Sequence, residues 1–239
     1  MRKILATIII TCGLLGCNKQ IQAPLMPASN PIKPAPVYTG NLTYLALGDS
    51  YTIGEAVEPA KSFPYQLAAQ LKQAGFTTGN PDIIARTGWT TGELISVINA
   101  SGTTDKKYSI VTLLIGVNNQ YRGNSKDVYR TEFIQLLNTA INYANGDKKH
   151  VFVISIPDWG ATPYASGYDR NKIAMDIDAF NAINKAETDK QDVAYIDITT
   201  ISKKAATDAS LNASDGLHPS AAMYSLWVNA IAPVMLSHL

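Results

Sequence analysis

The chain has 239 residues, 46% of them hydrophobic, with 20 lysines and arginines against 19 acidic residues and a formal charge of +1. Such a length and apolar share can fill the core of one large domain or two small ones. The near-even charge gives no basic surface for nucleic acid and none for an anionic bilayer.

Arg2 and Lys3 precede an apolar run from Ile4 to Leu15. Its charge and length are those of a signal peptide, too short to span a bilayer as a mature helix. The run closes in Leu14-Leu15-Gly16-Cys17, which resembles the bacterial lipobox. The resemblance implies cleavage before Cys17, lipidation of that cysteine, and an exported protein anchored to a membrane, facing the periplasm or the cell surface. The other reading is an ordinary secretory signal with a chance cysteine. Cys12 lies in the apolar run and would be discarded with it, leaving no disulfide, metal thiolate or cysteine nucleophile. Residues 1–17 are thus a leader and 18–40 a tether. Within the tether, APLMPASNPIKPAP carries five prolines, a composition that favours an extended spacer over packing.

From residue 41 to 239 the chain alternates strand and helix in one domain. Short apolar runs rich in β-branched residues predict strands at 42–47, 82–86, 109–115, 150–156 and 193–198. Between them, SFPYQLAAQLKQAG predicts a helix opened by Ser62 and closed at Gly75. Further helices are expected over 90–99, 125–145 and 170–190, and a last one from near Ser220. Nearly continuous apolar strands separated by helices predict a parallel sheet covered on both faces, an α/β/α sandwich of three layers.

The first strand runs into Gly48-Asp49-Ser50, with Gly54 beyond. Ligands of open α/β sheets sit at the carboxyl ends of the strands, so Ser50 is placed for chemistry. A serine there also suits a helix N-cap, and on this stretch alone both jobs stand. A nucleophile needs a base. His150 follows two lysines at a strand start, where an edge position is expected, and His238 sits on a terminus expected to fray. His218 lies in SDGLHPS, where Asp215-Gly216 signals a turn and Pro219 pushes His218 into an extended conformation. An aspartate three residues before a histidine across such a turn can hold one ring nitrogen and turn the other outward. Asn118, after the strand ending in Ile115-Gly116, can donate a side-chain amide to an oxyanion, or be a turn residue. Gly88, after the second strand, can offer a backbone N–H, or be a turn glycine.

Gly48-Asp49-Ser50 with Gly54, Gly88 before Thr90-Thr91, Gly116-x-Asn118, and Asp215-x-x-His218 resemble, in order, the four blocks of the SGNH (GDSL-type) hydrolases. The resemblance spans residues 41–239 and implies that family's fold, with a parallel, flavodoxin-like sheet. It implies Ser50 as nucleophile, His218 as base and Asp215 as its orienter. The oxyanion hole would be the N–H groups of Ser50 and Gly88 with the Asn118 side chain. Two positions depart from the pattern: Asn119 stands where the third block often has Asp, which puts the support of that loop in question, and Tyr51 stands where the family name has Leu.

The reaction implied is ester hydrolysis through a serine acyl-enzyme. No metal cluster, phosphate loop or dinucleotide fingerprint is written in the sequence, so no cofactor is implied. The loop 155–172 holds Trp159, Tyr164 and Tyr168. Trp159 and Tyr164 are candidates for a wall of the substrate pocket, the alternative being a loop that packs its own aromatics. A small core with no large lid insertion points to short-chain esters such as O-acetyl groups on glycans. Lysophospholipase or thioesterase activity is a second enzyme reading, and glycan binding without turnover a reading of another class.

Overall fold

The computed structural model describes residues 40–103 and 105–239. The expectations for the leader, for Cys17 and for the tether up to residue 39 lie outside the described residues. No helix among those described is long and apolar enough to cross a membrane.

Strand β1 (Tyr44–Asp49) is buried at every position, as a strand covered on both faces must be. It leads directly into a single helical turn, α1 (Ser50–Ile53), followed by α2 (Phe63–Gln73) and β2 (Asp82–Arg86). After α3 (Thr91–Ser101) come β3 (Ile110–Leu114), the short α4 (Val117–Tyr121) and α5 (Lys126–Tyr143). The chain continues through β4 (Val151–Ile154), α6 (Arg170–Lys190), β5 (Ala194–Ile196), α7 (Thr199–Ser202) and α8 (Ala221–Leu236). All five predicted strands and all five predicted helices are present. β1 starts and ends two residues later than the apolar run suggested. Leu42 instead makes an isolated parallel bridge to Thr78.

The sheet is wholly parallel, in the order β2-β1-β3-β4-β5. Helices flank it: α2 packs with α8, while α5 packs with α3 and α6. From β1 the chain steps outward to β2, then crosses back over β1 to β3. The strand order therefore reverses between β1 and β3, the place where an α/β sheet opens a crevice at its carboxyl end. That crevice is only as tight as Gly48 lets it be. A Cβ at position 48 would collide with Thr52 Oγ1, one turn ahead, and with the carbonyl oxygen of Leu114 at the end of β3.

Several local expectations are corrected by packing. Ser62 stands at the cap of α2, yet its hydroxyl donates to the Pro59 carbonyl at 2.8 Å instead of capping the helix. His150 does not mark an edge strand, since β4 lies between β3 and β5. His238 is not frayed. Its Nδ1 lies 2.7 Å from the Lys149 carbonyl oxygen and its ring 5.5 Å from that of Phe152. His150 Nε2 in turn lies 3.2 Å from the His238 carbonyl oxygen. The long α8 returns the terminus to the start of β4, where these contacts hold it.

Candidate active site

The two readings of Ser50 are separated by its neighbour. Asp49 is the N-cap of α1, and its carboxylate accepts the Tyr51 N–H at 3.0 Å. Ser50 is the first helical residue, so its own N–H has no acceptor within the helix, and its hydroxyl is released from capping duty. Asp49 is fully buried, with its second oxygen unpartnered. Burial pushes its carboxyl up to about 7, against the opposing pull of backbone hydrogen bonds. The shift favours the neutral acid and so lessens the negative charge beside Ser50 that would oppose an oxyanion.

His218 is buried and held on three sides. Its Nδ1 lies 2.6 Å from Asp215 Oδ2, and the other oxygen of Asp215 accepts the N–H groups of Leu217 and His218 at 2.9 and 3.0 Å. The His218 carbonyl accepts the Ala213 N–H at 2.8 Å, which closes the loop. On its other side the imidazole meets the Tyr51 ring, 5.2 Å away at 53°. Tyr51 is fixed in turn by the Tyr224 hydroxyl, which donates to its carbonyl at 3.0 Å, and by Trp227. Burial alone would raise the Asp215 pKa, but the imidazole and the two backbone N–H groups outweigh it and hold the carboxyl below the usual range.

The candidate oxyanion donors come from two loops that α4 staples together. Gly88 has φ +83°, a conformation side chains resist, inside a tight turn in which the Trp89 N–H reaches the Arg86 carbonyl at 3.2 Å. Among the described residues no protein acceptor takes the Gly88 N–H. Asn118 Nδ2 donates to the Trp89 carbonyl at 3.0 Å, which leaves the amide one further hydrogen to give. Arg122 donates to the Gly88 carbonyl at 2.6 Å while pairing with Glu93, itself half of the capping box of α3.

Asn119 supplies the third staple. It is 2% exposed, accepts the Thr91 N–H at 3.0 Å through Oδ1 and donates from Nδ2 to Thr91 Oγ1 at 2.8 Å. Thr91 Oγ1 passes its own hydrogen to Glu132. An aspartate at 119 would have nothing to donate, and two carboxylates would face one hydroxyl. The departure from the family pattern therefore answers to Glu132.

Ser50, Gly88, Asn118 and His218 all line one cleft of about 130 Å³, together with Thr87, Tyr121, Trp159 and Tyr164. Among the described residues Ser50 Oγ and His218 make no direct hydrogen bond, a looseness common before substrate enters. No group of three or more His, Cys, Asp or Glu side chains that could hold a metal ion occurs among the described residues.

A model of the GDSL-like lipase/acylhydrolase family matches residues 46–226. The chain belongs to that family. It is a carboxylic ester hydrolase, and the SGNH-type blocks read from its sequence are that family's. No curated protein sequence matches it. Solved structures with the same fold include TesA, 17% identical at a TM-score of 0.64, with 82% of this chain and 99% of that chain covered. They also include the psychrotrophic esterase EstA of a Pseudoalteromonas species, in a structure inhibited by monoethylphosphonate, at 16% and 0.60, covering 82% and 97%. Axe2, an acetylxylan esterase of Geobacillus stearothermophilus, matches at 15% and 0.62, covering 81% and 94%.

In this acylhydrolase the sequence pattern missed Arg122, Tyr51 and Tyr121. All three stand within four residues of Ser50 or Asn118, but what each of them touches lies far along the chain: Gly88 for Arg122, His218 for Tyr51 and Trp159 for Tyr121. Tyr51 alone left a trace, as the departure within the first block. Trp159 and Tyr164 do line the cleft, but Trp159 is 4% exposed, a buried keystone under the surrounding tyrosines.

Asn119→Asp should lose about 1–3 kcal/mol of stability in urea unfolding, and Glu132→Gln in that background should recover part of it by removing the facing charge. A normal midpoint for Asn119→Asp would contradict the shared-hydroxyl argument. For Asp215 the folded pKa lies below the unfolded value of about 3.9. Its stabilisation is therefore present above that value and lost as pH falls through the lower, folded one. The stability difference between wild type and Asp215→Asn should stay level above about pH 5 and shrink below about pH 4. Hydrolysis by Asp215→Asn should drop on the order of 10³-fold, since the ring loses its oriented tautomer.

Proposed function

We propose that this acylhydrolase cleaves short-chain carboxylic esters, O-acetyl groups on glycans foremost, through a serine acyl-enzyme. The observation that carries the reading is the size of the cleft. At about 130 Å³ it falls below the roughly 300 Å³ at which pockets for drug-sized ligands begin, and a long acyl chain would have to leave it. The likeness to an acetylxylan esterase points the same way.

In this reading Ser50 Oγ attacks the ester carbonyl as His218 takes its proton, with Asp215 holding the imidazole and stabilising its charge. The oxyanion receives hydrogen bonds from the N–H groups of Ser50 and Gly88 and from Asn118 Nδ2. Collapse expels the alcohol with the proton from His218. Water then enters, gives its proton to the same ring and releases the acid and free Ser50. The phosphonate inhibition recorded for EstA accords with such a tetrahedral intermediate.

Hydrolysis of p-nitrophenyl acetate, butyrate and palmitate tests the proposal. The acetate and butyrate esters should be favoured over palmitate, Ser50→Ala should be inactive with an unchanged circular dichroism spectrum, and Asn118→Ala should lose roughly 10²–10³ in kcat with little change in KM. A preference for palmitate would transfer the assignment to lysophospholipase or thioesterase chemistry, and an active Ser50→Ala would end it.

We also propose that Cys17 is lipidated and holds the domain at a membrane, on the strength of Leu14-Leu15-Gly16-Cys17. One chain gives only marginal membrane binding and firm anchoring takes more than one, which the diacylation implied by a lipobox supplies. Cys17→Ser should abolish palmitate labelling and release the protein to the soluble fraction; unchanged labelling would refute the anchor.

A further inference from the structure

Of the six large hydrophobic side chains left exposed among the described residues, three are tyrosines, of which Tyr121 and Tyr164 line the cleft and Tyr168 lines the neighbouring groove. Tyr121, Tyr164 and Tyr168 are 48%, 42% and 49% exposed, and all three pack around buried Trp159, at ring separations of 5.4, 6.1 and 5.2 Å. Tyr164 and Tyr168 lie 6.2 Å apart and 18° from parallel, and the hydroxyls of Tyr121 and Tyr164 are 3.3 Å apart. Tyr121 and Trp159, which line the catalytic cleft, also line a second groove, bounded by Tyr168, Asp169, Lys172 and Asp176.

The platform is rigid. Arg170, at the start of α6, donates to the carbonyls of Gly160 and Thr162 at 2.7 and 3.0 Å. The Tyr164 N–H donates to the Gly216 carbonyl at 2.9 Å, which ties the aromatic loop to the turn carrying Asp215 and His218. Trp159 Nε1 donates to Gln120 at 2.7 Å. The rings are thus held open to water with little further ordering to lose on binding.

Their chemistry selects a ligand. A tyrosine offers an apolar face and a polar tip, which suits a molecule with apolar faces and a hydroxylated edge. The lysine of the groove is already bonded to Asp176 at 2.5 Å, Lys126 also lies within 3.9 Å of Asp176, and the Asp169 carboxylate caps α6. With Lys172 in its lining and Lys126 beside it against two aspartates, the groove has no surplus positive charge for a phosphate or carboxylate. An alkyl chain would leave its polar half unmatched.

Resting on the esterase reading above, we propose that the Tyr121–Tyr164–Tyr168 platform and its adjoining groove are a subsite for a neutral saccharide, the alcohol portion of the ester cleaved at Ser50. Sugar rings stack on the tyrosines, and their hydroxyls reach the tyrosine tips and the carboxylates of the groove.

The test uses unmodified neutral tetrasaccharides of xylose, glucose and N-acetylglucosamine as probes. At least one should inhibit p-nitrophenyl acetate hydrolysis competitively and bind the Ser50→Ala protein in calorimetry. Tyr168→Ala should weaken that binding about fivefold or more, while Tyr168→Phe, which keeps the ring, should retain most of it. Intact hydrolysis with no saccharide binding to Ser50→Ala would overturn the subsite and leave the esterase reading standing. Tyr168-dependent binding of lysophosphatidylcholine in place of any saccharide would overturn it as well. Absence of Ser50-dependent hydrolysis would instead strike the esterase reading, with saccharide binding still measured directly.

Discussion

The end of β1 leaves no room for a side chain at position 48. With glycine there, Thr52 and the Leu114 carbonyl close against the strand, so the first turn of α1 can sit over the junction of β1 and β3. Everything at the candidate site is measured from that junction. Ser50 rises from it directly, Asn118 follows β3 on one side and Gly88 follows β2 on the other. A Cβ at position 48 would force a shift in backbone that both neighbouring strands share, and overpacking of this kind typically costs about 1–3 kcal/mol.

Around the nucleophile, polar groups are assigned so that few compete. Asp49 takes the capping role and spares the Ser50 hydroxyl. Burial favours its neutral form up to about pH 7. Asp215, by contrast, accepts three hydrogen bonds and stays ionised beneath His218. Two carboxyls near one serine are thereby driven to opposite states by solvation and hydrogen bonding, the ionised one facing the imidazole.

The second and third blocks act as one mechanical unit. α4 sends Asn118 to the Trp89 carbonyl, Asn119 to Thr91 and Arg122 to the Gly88 carbonyl. The Gly88 loop is therefore positioned by side chains that arrive from a different strand end. Donors held in this way need no reorganisation as charge develops. The aromatic loop is tied to the Asp215–His218 turn through Tyr164 and Gly216, so the proposed saccharide platform and the candidate base share one support.

By itself the sequence determined the alternation of strands and helices, the parallel sheet and the order of four short blocks. These are local properties: buried parallel strands demand continuous apolar runs, and turns with positive φ or close approach demand glycine. The Asp215–His218 pair was also legible, because three residues across one turn bring a carboxylate to a ring. Tertiary structure decided what depends on partners far apart in the chain. The choice between cap and free hydroxyl for Ser50 is the exception, a local matter settled by where the helix begins and by Asp49 next to it. Arg122 reaches Gly88 across 34 residues, Asn119 makes sense only beside Thr91 and Glu132, and His238 is held by Lys149 across 89. The tyrosine platform likewise joins Tyr121 to a loop some forty residues on, 43 of them to Tyr164. Hydrogen bonds and ring contacts of that kind leave no period or spacing in a sequence, since they are set by how the sheet and helices bring separate loops together.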